Sequence, residues 1–217
     1  MERGLGFDAY RVIAPVYDLL AHVYSGGAVR RCRAAFVSEL KAGERALFAG
    51  AGTGGAAIEA ARRGVLVVAV DLSPTMALRL RRQLTSLPNA EVVCADVFAV
   101  EGLGEFDWVF ANFFLNVFSE RALASSIERL AGFLHAGGQL VIGDFAAPAR
   151  GWRGWLQAAY YFVPILVFWL ATRNAFHRLH DYEQYFAGAG LARREVRFFR
   201  AFKAGPRWFA SIKAGRA

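Results

Sequence analysis

Short apolar runs alternate with longer mixed ones along most of this chain. Residues 45–49, 65–70, 91–94, 107–111 and 139–143 are brief and mostly apolar, as expected of parallel strands buried on both faces. Between them, 56–63 and 120–133 have the length and composition of helices. Ser73 followed by Pro74 suits an N-cap and a first helical position, so a third helix is expected there. This βαβα order predicts an α/β fold built on a doubly wound, mostly parallel sheet. Before it, residues 7–40 suit one or two helices broken near Pro15 and Ser25-Gly26-Gly27, forming a cap over 1–42. The chain reads as one domain, with a core over 43–147, an apolar insert over 148–187 and C-terminal strands over 188–217.

In an open parallel sheet, ligands gather beyond the carboxyl ends of the strands. The first strand runs into Gly50-Ala51-Gly52-Thr53-Gly54-Gly55 and then into a helical stretch. Closely spaced glycines allow a tight turn and close approach of a ligand to the backbone, and the following helix offers unpaired N–H groups. Glycine spacing alone also fits a turn with no ligand. The second strand ends in Asp71, about twenty residues beyond Gly50, where dinucleotide-binding folds place the carboxylate that accepts ribose hydroxyls. The same reasoning marks Asp96, Asn112 and Asp144 at later strand ends, although Asp96 also suits a turn cap and Asn112 a loop tie.

With Asp71-Leu72-Ser73-Pro74-Thr75-Met76, Asp96-Val97 and the stretch from Leu134 to Asp144, these motifs resemble class I S-adenosylmethionine-dependent methyltransferases. Residues 10–18, Asp181-Tyr182-Glu183 and Ala189-Gly190-Leu191 look most like the ubiquinone/menaquinone C-methyltransferase type. The resemblance covers nearly the whole chain and specifies the superfamily better than the substrate. It implies a Rossmann-like seven-stranded sheet and S-adenosylmethionine as cofactor. It also implies that Gly50, Ala51, Gly52, Gly54 and Leu72 contribute to the cofactor site, Asp71 accepts the ribose hydroxyls, Asp96 and Val97 flank the adenine, and Asn112 lies beside the methionine portion. One position departs from the pattern: two residues before Gly50 the family usually carries an acid that helps hold the cofactor's amino acid end, whereas this chain has Phe48. Losing such a charge-assisted partner is worth roughly 1.5–3 kcal/mol if nothing replaces it.

The formal net charge of +8 raises nucleic acid as a partner, but the arginines are not interleaved with any recognisable nucleic-acid motif, and none is expected to bind. Clusters at Arg30, Arg31 and Arg33, at Arg79, Arg81 and Arg82, and at Arg193, Arg194 and Arg197 equally suit a solvated face or anionic headgroups. Cys32 and Cys94 have no paired metal spacing, and no metal is expected. The first residues lack the apolar centre and cleavage site of a secretory signal, so a cytoplasmic location is expected, with the inner membrane face as a second option.

The insert is the most apolar segment. Its unbroken run from Ala158 to Ala171 falls short of the roughly 20 residues of a membrane span, and Pro164 is expected to interrupt it. Its Trp and Tyr residues, flanked by Arg150, Arg153 and Arg173, fit a segment resting in a membrane interface, or a core helix with a homodimer contact as one variant. Either implies a greasy pocket, and with the family's lid arrangement a lipophilic acceptor such as a prenylated quinol. His22, His177, His180 and Tyr17 are the candidate bases for proton removal, while His135 is set aside as belonging to the wrong end of the sheet. Alternatives are a phospholipid amine as acceptor, transfer of another part of the cofactor, and a non-catalytic membrane-associated binding protein on the same scaffold.

Overall fold

A computed structural model describes residues 17–147, 149–172, 179–202 and 206–216, with only the backbone course for 17, 18 and 163–172. Of the sequence candidates, His177 lies outside the described residues, and Tyr17 is placed by its backbone alone.

The strands are β1 (Arg45–Ala49), β2 (Leu66–Asp71), β3 (Ala90–Cys94), β4 (Phe106–Asn112), β5 (Leu134–Phe145), β6 (Leu191–Arg200) and β7 (Arg207–Arg216). They form one sheet in the order β3-β2-β1-β4-β5-β7-β6. The first five are parallel; β7 pairs antiparallel with both β5 and β6. The strand order reverses between β1 and β4, and that switch point opens a crevice at their carboxyl ends.

The helices are α1 (Tyr17–Ser25), α2 (Ala28–Arg33), α3 (Gly55–Arg62), α4 (Pro74–Leu84), α5 (Glu120–Gly132) and α6 (Trp152–Thr172). Pleat alternation divides the apolar strand residues between two cores. Phe48, Val67, Ala69, Phe110 and Val141 face α3, α4 and the Phe36–Leu40 segment, whereas Leu47, Val70, Val109 and Ile142 face α5. Four buried alanines on α3, at 56, 57, 60 and 61, let that helix lie close to the sheet. Ser73 caps α4 by accepting from the Met76 amide at 3.2 Å, with Pro74 at the first helical position.

Two local expectations are corrected. β5 begins at Leu134 rather than Gln139, because Leu134 pairs with Phe106 before the register shifts and resumes at Trp108–Gln139. The double glycine at 137 and 138 therefore sits inside an irregular strand. His135 bonds Asp107 at 2.9 Å at the amino end of the sheet, opposite the crevice.

Pro164 does not end the insert's helix, since α6 runs through it to Thr172. Proline has no N–H, so the Tyr160 carbonyl loses its donor within the helix. The Tyr24 hydroxyl on α1 donates to that carbonyl at 2.8 Å, and a donor from a neighbouring helix makes the interior proline tolerable. Among the described residues no helix is long and apolar enough to cross a membrane.

Candidate active site

The glycine turn joins β1 to α3. Gly50, Gly52 and Gly54 all have positive φ, at 62°, 56° and 75°. At Gly50 the reason is internal to the chain, for an added Cβ would stand 2.4 Å from the ring of Phe114. Gly54 is packed under Leu80 of α4. Gly52 differs, because an added Cβ would meet nothing within 4 Å. Its left-handed backbone thus borders open space at the mouth of the crevice. The half-buried Ala51 donates its amide to the Val70 carbonyl at 3.0 Å, fastening the turn to the end of β2.

Asp71 organises the junction of two loops. One carboxylate oxygen accepts from the Gly52 amide at 2.6 Å and the other from the Ser73 amide at 2.9 Å. A carboxylate offers about four acceptor positions, and these two donors fix its plane at the edge of the turn. Leu72 beside it is 60% exposed, a large apolar side chain on the rim of the crevice. At the end of β3, Asp96 is exposed and accepts from the Phe98 amide at 2.9 Å, an Asx turn, while Val97 is buried in the α5-side core.

Asn112 ends β4. Its amide nitrogen donates to the Arg33 carbonyl of α2 at 3.2 Å, and its oxygen, buried and without a hydrogen-bond partner, presses against Gly143 of β5. The side chain therefore ties the N-terminal cap to the carboxyl edge of two strands. The next residue, Phe113, takes a φ of 53°, unusual for an aromatic residue, and its amide donates to the Gly143 carbonyl at 2.6 Å. This turn sends Phe113 toward Phe145 and Phe209 and lays Phe114 over Gly50.

Phe48 is 4% exposed and stacks on Phe110, with ring centroids 4.7 Å apart and planes 8° apart. The position that carries an acid in the resembled family is here part of the hydrophobic core.

A second polar group, Asp144, closes β5. It is 2% exposed and accepts from the Tyr182 hydroxyl at 2.7 Å, from Asn116 at 3.1 Å and from the Phe145 amide at 2.8 Å. Burial pushes its pKa up to about 6, with those hydrogen bonds opposing the shift. His180 is buried nearby, its ring 6.0 Å from that of Tyr182 and its Nε2 without a hydrogen-bond partner. Burial lowers the His180 pKa, favouring the neutral ring. Asp144, His180 and Tyr182 line a small pocket between the ends of β5 and β7 and the Tyr182–Tyr185 turn. His22, by contrast, is exposed on α1 with its ring against Gly27, at the α1–α2 junction. Among the described residues no group of three His, Cys, Asp or Glu side chains is placed to hold a metal ion.

The roof over the carboxyl ends of β4 and β5 is aromatic. Phe145 contacts Tyr161 at 4.4 Å and Phe209 at 5.5 Å, and Tyr160 contacts Trp208 at 4.5 Å. Tyr24 of α1 stacks on Tyr160 of α6 at 4.3 Å. Sequence reasoning missed this pairing, the Phe114 contact and the Asp144–Tyr182 bond. Of these, only Asp144 carried a signal, as an acid at a strand end.

A family described as a methyltransferase domain matches residues 46–138. A demethylmenaquinone methyltransferase of Renibacterium salmoninarum is 33% identical over 144 residues, 64% of this chain and 58% of the relative. A ubiquinone/menaquinone biosynthesis C-methyltransferase of Geobacter sulfurreducens is 30% identical over 150 residues, 65% of this chain and 58% of the relative. The matched region thus spans less than two thirds of either relative. Among solved structures, the 1,6-didemethyltoxoflavin-N1-methyltransferase of Burkholderia thailandensis, with bound 1,6-didemethyltoxoflavin and S-adenosylhomocysteine, superposes with a TM-score of 0.67. That match covers 100% of this chain and 93% of the other at 17% identity, a likeness of fold.

Proposed function

We propose that this chain, which matches a methyltransferase-domain family over residues 46–138 and is similar to ubiquinone/menaquinone-type enzymes, is a class I S-adenosylmethionine-dependent methyltransferase that methylates a lipophilic aromatic acceptor of the prenylated-quinol class. The observation that carries the acceptor class is the aromatic roof of Phe145, Tyr160, Tyr161, Trp208 and Phe209 over the ends of β4 and β5.

In this reading the cofactor is S-adenosylmethionine, which when bound supplies an electrophilic methyl group. The residues at the switch point fit it: Gly52 borders open space, and the Asp71 carboxylate is held at the rim by two backbone amides. In this reading Asp71 accepts the ribose hydroxyls, the Gly50–Gly54 turn lies along the amino acid end, Leu72, Asp96 and Val97 flank the adenine, and Asn112 stands behind the methionine portion. The protein's contribution is mostly positioning and exclusion of water, which for an in-line displacement supplies much of the rate.

An aromatic acceptor also gives up a proton. Of the candidate bases, His180 has the supporting environment: a neutral ring, an unpartnered Nε2 and the Asp144–Tyr182 pair beside it. A phenol or ring carbon presented at Nε2 would pass its proton there. His22 points from the outer surface of the cap and has no comparable setting.

The test is incubation with S-adenosylmethionine carrying a deuterated methyl group and a panel of solubilised quinols and phospholipids, read by product mass. A labelled quinol is the expected result. Label on a phospholipid amine, or on no acceptor at all, overturns the acceptor class. The second reading, a non-catalytic scaffold, draws on the buried Phe48, and it predicts that S-adenosylhomocysteine fails to bind folded protein.

A further inference from the structure

The exposed side of α6 is apolar. Trp152, Trp155, Leu156 and Phe162 are 69%, 83%, 52% and 51% exposed. At 100° per residue they fall on one side of the helix. The opposite side carries Gln157 and Tyr161, each 1% exposed. Gln157 accepts from the Ala149 amide at 2.7 Å and donates to the Ala146 carbonyl at 3.0 Å, while the Tyr161 hydroxyl donates to the Trp208 carbonyl. The orientation of α6 is therefore fixed by specific bonds, and those bonds turn its aromatic stripe outward.

α1 extends the same feature. Leu19, Leu20 and Val23 are 63%, 50% and 65% exposed, and α1 is locked to α6 by the reciprocal Tyr24–Tyr160 bonds. Two clamped helices thus show water seven large apolar side chains. Arg150 and Arg153 are exposed at the start of α6, with the Arg153 guanidinium 5.7 Å from the Trp152 ring.

We propose that the paired outer faces of α1 and α6 form a docking surface for an anionic lipid bilayer, on which the protein lies without spanning it. Indole rings favour the headgroup level, where an amphipathic body meets both hydrocarbon and water. Arginines beside them meet lipid phosphates, and the chain's net charge of +8 is opposite to that of an anionic leaflet. An interfacial helix carries its apolar stripe toward the acyl boundary, and here the buried face of the same helix roofs the candidate acceptor region. This deepens the methyl-transfer reading and rests on it for the acceptor, because a prenylated quinol resides in the bilayer that α6 would touch.

Vesicle sedimentation tests it with the full chain and vesicles of phosphatidylcholine, with and without phosphatidylglycerol. The expected result is binding that needs phosphatidylglycerol, weakens with salt, and falls about tenfold or more in the Trp155→Ser, Leu156→Ser double variant. The conservative Trp155→Phe change should keep vesicle binding while removing part of the fluorescence blue shift that vesicles cause. Affinity of the double variant for S-adenosylhomocysteine without vesicles should match that of the parent, which separates a lost surface from a lost fold. A parent chain that binds S-adenosylhomocysteine but no vesicles overturns the docking surface and leaves methyl transfer standing. One that binds vesicles but no cofactor does the reverse. If light scattering finds a dimer that the double variant converts to monomer, and the parent ignores vesicles, the face belongs to a second copy and the proposal is wrong.

Discussion

Tyr24 and Tyr160 exchange hydrogen bonds across two helices: each hydroxyl donates to the other's backbone carbonyl, at 2.8 and 2.7 Å, with the rings stacked between them. The Tyr160 carbonyl is the one that Pro164 deprives of its helical partner, and the Tyr24 carbonyl lies in the last turn of α1, where carbonyls also lack helical donors. Tyr24→Phe leaves the Tyr160 carbonyl unsatisfied while keeping the stacked ring. It should cost about 1–3 kcal/mol in denaturant unfolding and should speed proteolytic cleavage within α6. Unchanged stability and cleavage would mean that the pair does not fasten the cap.

In the proposed reading Asp71 does two jobs. Removing its carboxylate should weaken S-adenosylhomocysteine binding by roughly 1–3 kcal/mol, or about five- to 150-fold. It also frees the Gly52 and Ser73 amides, so Asp71→Ala should lower the melting temperature. Calorimetric titration together with a melt separates the effects. Affinity equal to the parent in a folded variant would sink the ribose assignment.

Restoring the family's acid at position 48 should fail. Phe48 is enclosed by Phe110 and the α3-side core, so Phe48→Asp buries an unpaired carboxylate and empties an aromatic site. We expect a loss of about 3 kcal/mol or more and no gain in cofactor affinity, measured by urea unfolding and calorimetry. A stable variant with tighter binding would show that the position reaches the ligand.

Asp144 should make stability depend on pH in a recognisable window. Burial raises its pKa from 3.8 to about 6, so the native state keeps a proton that the unfolded chain has already released. Its contribution is fully present below about pH 4 and is lost as pH rises through about 6. At about 1.4 kcal/mol per unit this amounts to roughly 3 kcal/mol. The unfolding free energy of the parent minus that of Asp144→Asn should therefore fall from pH 4 to 6 and then level off. A flat difference would contradict the raised pKa.

What the sequence revealed depended on how local each signal was. Ser73 and Pro74 announce α4 because a cap and a first-turn proline act within one turn. The sheet core was readable because buried parallel strands must be apolar throughout. The start of β5 was misplaced, since Gly137 and Gly138 resemble a turn and only pairing with Phe106 shows Leu134 to be in the sheet. Pro164 misled for a similar reason: its rescue comes from Tyr24, 140 residues earlier. The Asp144 cluster draws on partners 28 and 38 residues away, beyond the reach of any spacing rule. At the candidate cofactor cradle, Asp71 and the glycines were legible as a motif, whereas Phe114 over Gly50 was not.

The proposed methyl transfer requires that the glycine turn and Asp71 hold a cofactor with phenylalanine at position 48. Titration of S-adenosylhomocysteine into the folded full chain by calorimetry tests this most directly. Binding of one equivalent in the micromolar range, roughly −8 kcal/mol, weakened by Asp71→Ala, is the predicted result. A well-folded chain that gives no heat and no thermal shift at millimolar ligand would contradict it.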